Sequence, residues 1–240
     1  MILRRIHFIF ISVVFFIFLP SVWIFEEKIS FGKDSLFEDF PKKLVSLTFD
    51  DGPHPYYTQK IVEILNKYKV KATFFFVGKQ VKRYPEIVRY ILENSDSKIA
   101  NHTYSHRNLT KLSPFEIQKE LIFTHNLLLE IAEDNYIEKI IPYFRPPGGN
   151  YDEKVLKEAE KLGFKITLWS IFVDDINCRE KQQLLERIFN SNLQNKEIVL
   201  LHSGHSTTVE ALPEIIEFFR SKGYEFVTVN EILDETYNVN

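Results

Sequence analysis

The chain has 240 residues, 45% of them hydrophobic and 26% charged, with 30 basic and 33 acidic side chains. That apolar fraction excludes general disorder, and a net charge of −3 excludes a nucleic-acid binder working through a basic surface. The single cysteine, Cys178, excludes an internal disulfide framework and any multi-cysteine metal site.

The first element in chain order is apolar. Ile6 to Phe25 contain no Asp, Glu, Lys or Arg, and a helix of about 20 residues spans about 30 Å, the thickness of a bilayer's hydrocarbon core. Arg4 and Arg5 precede the run and Glu26, Glu27 and Lys28 follow it. The positive-inside rule therefore predicts a single-pass anchor with its N-terminus in the cytoplasm and the rest of the chain outside. The alternative is a cleaved signal peptide and a secreted product, for which Pro20-Ser21-Val22-Trp23 is a poor cleavage site. Residues 1–28 thus read as a cytoplasmic stub and transmembrane helix, 29–43 as a linker, and 44–240 as one folded domain.

In that domain short β-type runs alternate with helical patterns. The predicted strands are Leu44–Phe49, Ala72–Val77, Lys98–Asn101, Pro142–Arg145, Lys165–Ser170, Glu197–Leu201 and Tyr224–Val229. Between them, apolar residues recur at helical spacing, as in Ile61, Ile64, Leu65 and Tyr68, or Val209, Leu212, Ile216 and Phe219. Ser113-Pro114-Phe115-Glu116 combines a capping box with proline at the first helical position, and Gly163 and Gly223 stand where helices should stop. Seven alternations imply parallel strands joined by right-handed crossovers, either as an open doubly wound sheet or as a barrel. No Gly-x-Gly-x-x-Gly follows the first strand, so nothing supports a dinucleotide fold.

The chemically unusual residues fall at the C-terminal ends of the predicted strands, the face where α/β folds bind ligands. Asp50 and Asp51 follow the first, His102 and His106 the third, Asp174 and Asp175 the fifth; Arg145 ends the fourth and His202 the sixth. Taken singly, each has a bland reading. Acidic residues before Gly52-Pro53 are ordinary turn formers, and His202 could be a satisfied core histidine. His102 and His106 are four apart, which on a helical turn puts both imidazoles on one side, within reach of one metal. Taken together, two imidazoles and a carboxylate make the three-ligand set of a catalytic metal site with one position open to water. A second carboxylate can then serve as base and a remote histidine as acid. His54 and His205 read as loop residues, Cys178 as packing, and the Phe-rich strand Ala72–Val77 as buried wall.

These residues resemble the polysaccharide deacetylases, carbohydrate esterase family four, with the NodB homology domain. Thr48-Phe49-Asp50-Asp51-Gly52, His102-Thr103-Tyr104-Ser105-His106, Arg145-Pro146-Pro147-Gly148-Gly149, Trp169 through Asp175, and Leu200-Leu201-His202 are similar to the family's five motifs, in family order. The resemblance implies a (β/α)7 barrel and hydrolysis of the acetamide of an N-acetylated envelope polysaccharide. Peptidoglycan N-acetylglucosamine is the simplest substrate for an anchored, outward-facing enzyme. It implies Asp51, His102 and His106 as ligands of a divalent metal, zinc or else cobalt or nickel. It further implies Asp50 as general base held by Arg145, His202 as general acid with Asp175 as partner, and the Gly148 N–H as oxyanion donor. Two positions depart from the family pattern: Gly148 stands where an aromatic residue is usual, and Ile176 where tryptophan usually follows the aspartate. The alternatives are an O-acetyl esterase on acetylated polysaccharide and a non-catalytic, anchored glycan-binding domain. The expected partners are the polysaccharide and the membrane; no nucleic acid is expected, and no protein partner can be inferred.

Overall fold

The structure is a computed structural model that describes residues 43–234. The predicted anchor and nearly all of the predicted linker lie outside the described residues; among those described, no helix is long and apolar enough to cross a membrane.

The strands are β1 (Lys43–Asp50), β2 (Thr73–Phe76), β3 (Lys98–Asn101), β4 (Ile140–Phe144), β5 (Lys165–Ile166), β6 (Ile171–Phe172), β7 (Glu197–His202) and β8 (Tyr224–Phe226). They alternate with helices α1 (Tyr57–Lys67), α2 (Gly78–Arg83), α3 (Pro85–Asn94), α4 (Pro114–Ala132), α5 (Glu153–Lys161), α6 (Lys181–Phe189), α7 (Ser206–Ser221) and α8 (Val229–Leu233). All strand pairs are parallel, in the order β5-β4-β3-β2-β1-β7-β6, with β8 beside the start of β1. The edges β5 and β6 are not paired with each other, so the sheet is a half-barrel of parallel strands, consistent with the expected (β/α)7 fold.

The two-residue period of a strand explains how β1 can be buried along nearly its whole length and still carry polar residues. Val45, Leu47 and Phe49 pack outward with Ile61 and Leu65 of α1 and Ile215 and Phe219 of α7. The alternate residues, Leu44, Ser46, Thr48 and Asp50, are also buried. Leu44 clusters with Phe75, Ala100, Tyr143 and Ile198, and Thr48 and Asp50 both meet Arg145. Phe74, Phe75 and Phe76 are fully buried, as the wall reading requires. The capping box at Ser113 and Glu116 forms, and Gly163 and Gly223 follow α5 and α7 with φ +79° and +80°.

Three predicted strands differ by more than one residue at an end. The run Lys165–Ser170 is not one strand: only Lys165–Ile166 pair, as β5, and residues 167–170 cross from one sheet edge to the other, where β6 begins at Ile171. Thr167 N donates to Phe144 O and Ser170 N to Ile198 O, while the Thr167 and Leu168 carbonyls accept from the buried Arg145 guanidinium. The expected strand Tyr224–Val229 ends at Phe226, because Thr228 instead caps α8 in a box with Glu231. The fourth strand begins at Ile140, two residues earlier than the alternation suggests.

Candidate active site

Ladder register levels the strand ends. Asp50 is opposite His202 and Phe76 is opposite Asn101, so the residues that follow β1, β3, β4 and β7 leave the sheet at one height. After Asp50 the chain turns sharply. Asp51 has φ +68°, and a Cβ on Gly52 would lie 2.6 Å from a Phe76 ring carbon and 2.8 Å from Ser203 Oγ. Only glycine fits there, so the acidic pair is followed directly by a residue with no room for a side chain.

Asp51, His102 and His106 each offer one ligand atom, all within 4.8 Å of one another. The His102 Nδ1 is 2.8 Å from the Arg145 carbonyl oxygen. A carbonyl only accepts, so that nitrogen carries the ring proton and Nε2 is left with its lone pair toward the carboxylates. Nε2 of His102 is 3.4 Å from Asp51 Oδ1, and Nε2 of His106 is 3.1 Å from the same oxygen. Despite this closeness, Asp51 Oδ1 is buried and accepts no well-formed hydrogen bond. Two imidazole nitrogens converging on a carboxylate oxygen that lacks a hydrogen-bond partner make a three-donor set that a small divalent cation satisfies, and the set fits one. Burial alone would raise the Asp51 pKa, but the two imidazoles hold it well below the usual carboxylate range, so the group is ionised as a ligand must be.

The spacing of the two histidines is not that of a helical turn. Residues 102–106 form a loop with φ +66° at Thr103 and +58° at His106. Three side chains hold it in this shape, one of them Thr103, whose Oγ1 accepts from His106 N at 3.1 Å. Asn101 accepts from Thr103 N, and Glu120 of α4 accepts from Tyr104 N at 2.9 Å, Ser105 N at 2.7 Å and Ser105 Oγ at 2.6 Å. Arg107 donates to the same carboxylate at 3.1 Å. Sequence reasoning missed Glu120. The available signal was a carboxylate in the apolar stripe of α4, which buries Ile117, Glu120, Leu121, Thr124 and Leu128 together.

Arg145 is fully buried. Its Nη1 donates to Asp50 Oδ1 and to Thr48 Oγ1, both at 2.8 Å, and its Nη2 donates to Leu168 O at 2.9 Å. The Phe75 ring lies 4.1 Å beneath it. This fixes Asp50 in one orientation, with Oδ1 occupied and Oδ2 3.7 Å from His102 Nε2.

On another wall, Asp175 and His202 form a closed pair. Asp175 accepts from His202 Nδ1 at 2.7 Å, from His202 backbone N at 2.8 Å and from Thr208 Oγ1 at 2.7 Å. Burial works against the charged imidazolium, but the adjacent Asp175 outweighs it and raises the His202 pKa above its ordinary value. Asp174 takes no part in this pair: it has φ +49° and faces Arg187 at 3.2 Å.

A cavity of about 280 Å³ collects these groups: Asp50, Asp51, His102, His106 and His202 line it. Gly148, with φ +62°, lies on its wall, and Trp169, Phe172 and Ile176 make an apolar side on which Phe172 and Ile176 are exposed. Other expectations meet their places. His54 lies in the loop before α1 and His205 directly precedes α7. Cys178 is buried, and its thiol points to the Asp174 carbonyl.

Residues 37–167 match the family model described as polysaccharide deacetylase. A peptidoglycan-N-acetylglucosamine deacetylase of Bacillus cereus is 34% identical over 198 residues, covering 80% of this chain and 89% of that protein. The peptidoglycan-N-acetylmuramic acid deacetylase PdaC of Bacillus subtilis is 33% identical, over 80% of this chain but 39% of its own length. A solved PdaC structure superposes with a TM-score of 0.72, covering 81% of this chain and 91% of that one. A Bacillus anthracis protein described as a family-four pseudoenzyme gives 0.74 at 31% identity, covering 81% of this chain and 66% of that one.

Proposed function

The chain belongs to the polysaccharide deacetylase family, and from that premise we propose that it hydrolyses the acetamide of N-acetylated peptidoglycan sugars, N-acetylglucosamine first, releasing acetate. The observation that carries this reading is one cavity that holds the Asp51, His102 and His106 donor set, an Asp50 fixed by Arg145, and a His202 paired with Asp175. Fold likeness alone would not separate an enzyme from a binding module, since one neighbour of the same fold is described as a pseudoenzyme; the retained acid, base and donor groups favour the enzyme.

Asp51, His102 and His106 would hold the cation, and their nitrogen and oxygen donors suit zinc. When bound, a divalent cation polarises the acetyl carbonyl and lowers the pKa of water toward about 7. Asp50 takes the proton from the attacking water through Oδ2, because Oδ1 is committed to Arg145. The Gly148 N–H is assigned to the developing oxyanion. An amine leaves poorly unless protonated, so amide cleavage needs an acid. His202 supplies that proton from Nε2, since Nδ1 is held by Asp175. The apolar run 6–25 with its flanking charges supports attachment to the membrane, with the domain on the outer side.

Acetate release tests this reading. The protein is stripped of metal, resupplied with zinc or cobalt, and given an N-acetylglucosamine oligomer, purified peptidoglycan and an acetylated xylan. Metal-dependent release from an N-acetylated substrate, lost in Asp50→Asn, is expected. Release from xylan alone would make the protein an O-acetyl esterase, and no release despite bound metal would refute the enzyme.

A further inference from the structure

Asp51 stands between two hollows. On one side is the catalytic cavity with its apolar wall of Trp169, Phe172 and Ile176. On the other is a groove of about 350 Å³, lined by Asp51 together with His54, Gln80, Arg83 and Tyr84. A polymer lying across the donor set would rest one sugar in the first hollow and the next in the second, and the second is built differently.

Its polar lining includes several donors, and one is a cation with no hydrogen bond or ion pair among the described residues. His54 Nδ1 accepts the N–H groups of Tyr56 and Tyr57 at 3.2 and 3.1 Å. Its ring proton therefore sits on Nε2, which can only donate. Burial and the neighbouring His205 lower the His54 pKa, so the ring is neutral and keeps that donor role. Gln80 adds an amide. Arg83 ends α2, with its guanidinium 5.2 Å from the Tyr84 ring centroid, and its side chain makes no hydrogen bond or ion pair among the described residues. By contrast Arg107, Arg145 and Arg187 all meet carboxylates. The one acid lining the groove, Asp51, belongs to the metal donor set. Lys79 and Lys82 extend the same positive sign along α2, and neither side chain meets an acid among the described residues. In a chain with a net negative charge, an unpaired guanidinium beside a donor-rich groove is matched to an anion, and its planar fork suits a carboxylate.

We propose that this groove is a subsite for a carboxylate-bearing neighbour of the sugar that is deacetylated, with Arg83 as the residue that pairs with the carboxylate. The inference rests on the proposed deacetylase function and adds a preference within it. Two sources carry that chemistry in peptidoglycan: the lactyl ether of a peptide-free muramic acid residue, and the acidic groups of an attached peptide stem.

The test compares matched N-acetylated glycan strands: one with free lactyl carboxylates, the same strand with those carboxylates converted to methyl amides, and a peptide-bearing strand. Metal-loaded wild type and Arg83→Gln are assayed for kcat and KM, and binding of each strand is measured by titration calorimetry. Wild type is expected to favour acid over amide by about three- to fivefold, through KM rather than kcat, with the ratio shrinking at raised salt. In Arg83→Gln the acid-to-amide ratio should fall to about one, with no change in thermal unfolding, because Arg83 forms no hydrogen bond or ion pair among the described residues. Preference for the peptide-free or the peptide-bearing strand identifies the source. A ratio equal in wild type and variant, or a wild type indifferent to the carboxylate, overturns the subsite. If no strand is deacetylated but binding still depends on both carboxylate and Arg83, the subsite stands and the enzymatic reading falls.

Discussion

Glu120→Ala is the sharpest test of how the donor loop is held. The carboxylate is buried at 4% exposure and accepts from two backbone N–H groups, one hydroxyl and one guanidinium. Bonds to a charged acceptor contribute about 1.5–3 kcal/mol each. Tyr104 and Ser105 are only half-buried, so water reaches part of the space left behind, and the low end applies. The Arg107 contact adds little, because half of that side chain is exposed and such pairs contribute under about 1 kcal/mol. The expected loss is about 3–5 kcal/mol, a fall in Tm of roughly 6–20 °C for a domain of this size. Arg107→Ala should cost under about 4 °C. Because the same bonds orient the loop ending at His106, zinc affinity of the folded Glu120→Ala protein, read by chelator competition, should drop about 10- to 100-fold. Calorimetric unfolding and the chelator titration read the two effects separately. If Arg107→Ala costs as much as Glu120→Ala, the ion pair dominates and the argument from backbone hydrogen bonds is wrong; an unchanged zinc affinity in Glu120→Ala would separate the latch from the donor set.

Three further outcomes follow from the site. Asp50→Asn should slow acetate release by about 10²- to 10⁴-fold while zinc stoichiometry, measured by elemental analysis, stays at the wild-type value. His106→Ala should lose the metal itself, and added zinc should fail to restore activity at concentrations that saturate the wild type. Asp175→Asn removes the negative charge that raises the His202 pKa, so the imidazolium is lost at lower pH. The basic limb of the kcat/KM profile should then shift toward acid, and a limb that stays in place would remove His202 from the role of general acid.

Much of the site was legible because its residues sit at the ends of strands. Alternation places Asp50, Arg145 and His202 at the C-terminal face, and the acidic pair is tied to its turn by a Gly52 that has no room for a side chain. Asp175 and Asp174 are adjacent and chemically identical in the chain. The resemblance favours Asp175, and the left-handed turn at Asp174, which aims one carboxylate at Arg187 and the other at His202, supplies the physical reason. The helical geometry expected for His102 and His106 did not form, because Glu120, 14 residues beyond His106, captures the loop's N–H groups before a helical turn can use them.

The sequence by itself determined the parallel α/β architecture, through local periodicity and turn chemistry encoded within short stretches of chain. The family and the expected donor residues came instead from the resemblance of five short motifs to the polysaccharide deacetylases. The tertiary structure alone decided the break between β5 and β6, the single orientation of Asp50 and the groove that presents Arg83. Each of these depends on buried groups finding partners distant in sequence, and the guanidinium of Arg145 shows why. Fully buried, it must satisfy its N–H groups, and it does so with Asp50, Thr48 and the carbonyls of Thr167 and Leu168, interrupting a strand that local propensity would have continued.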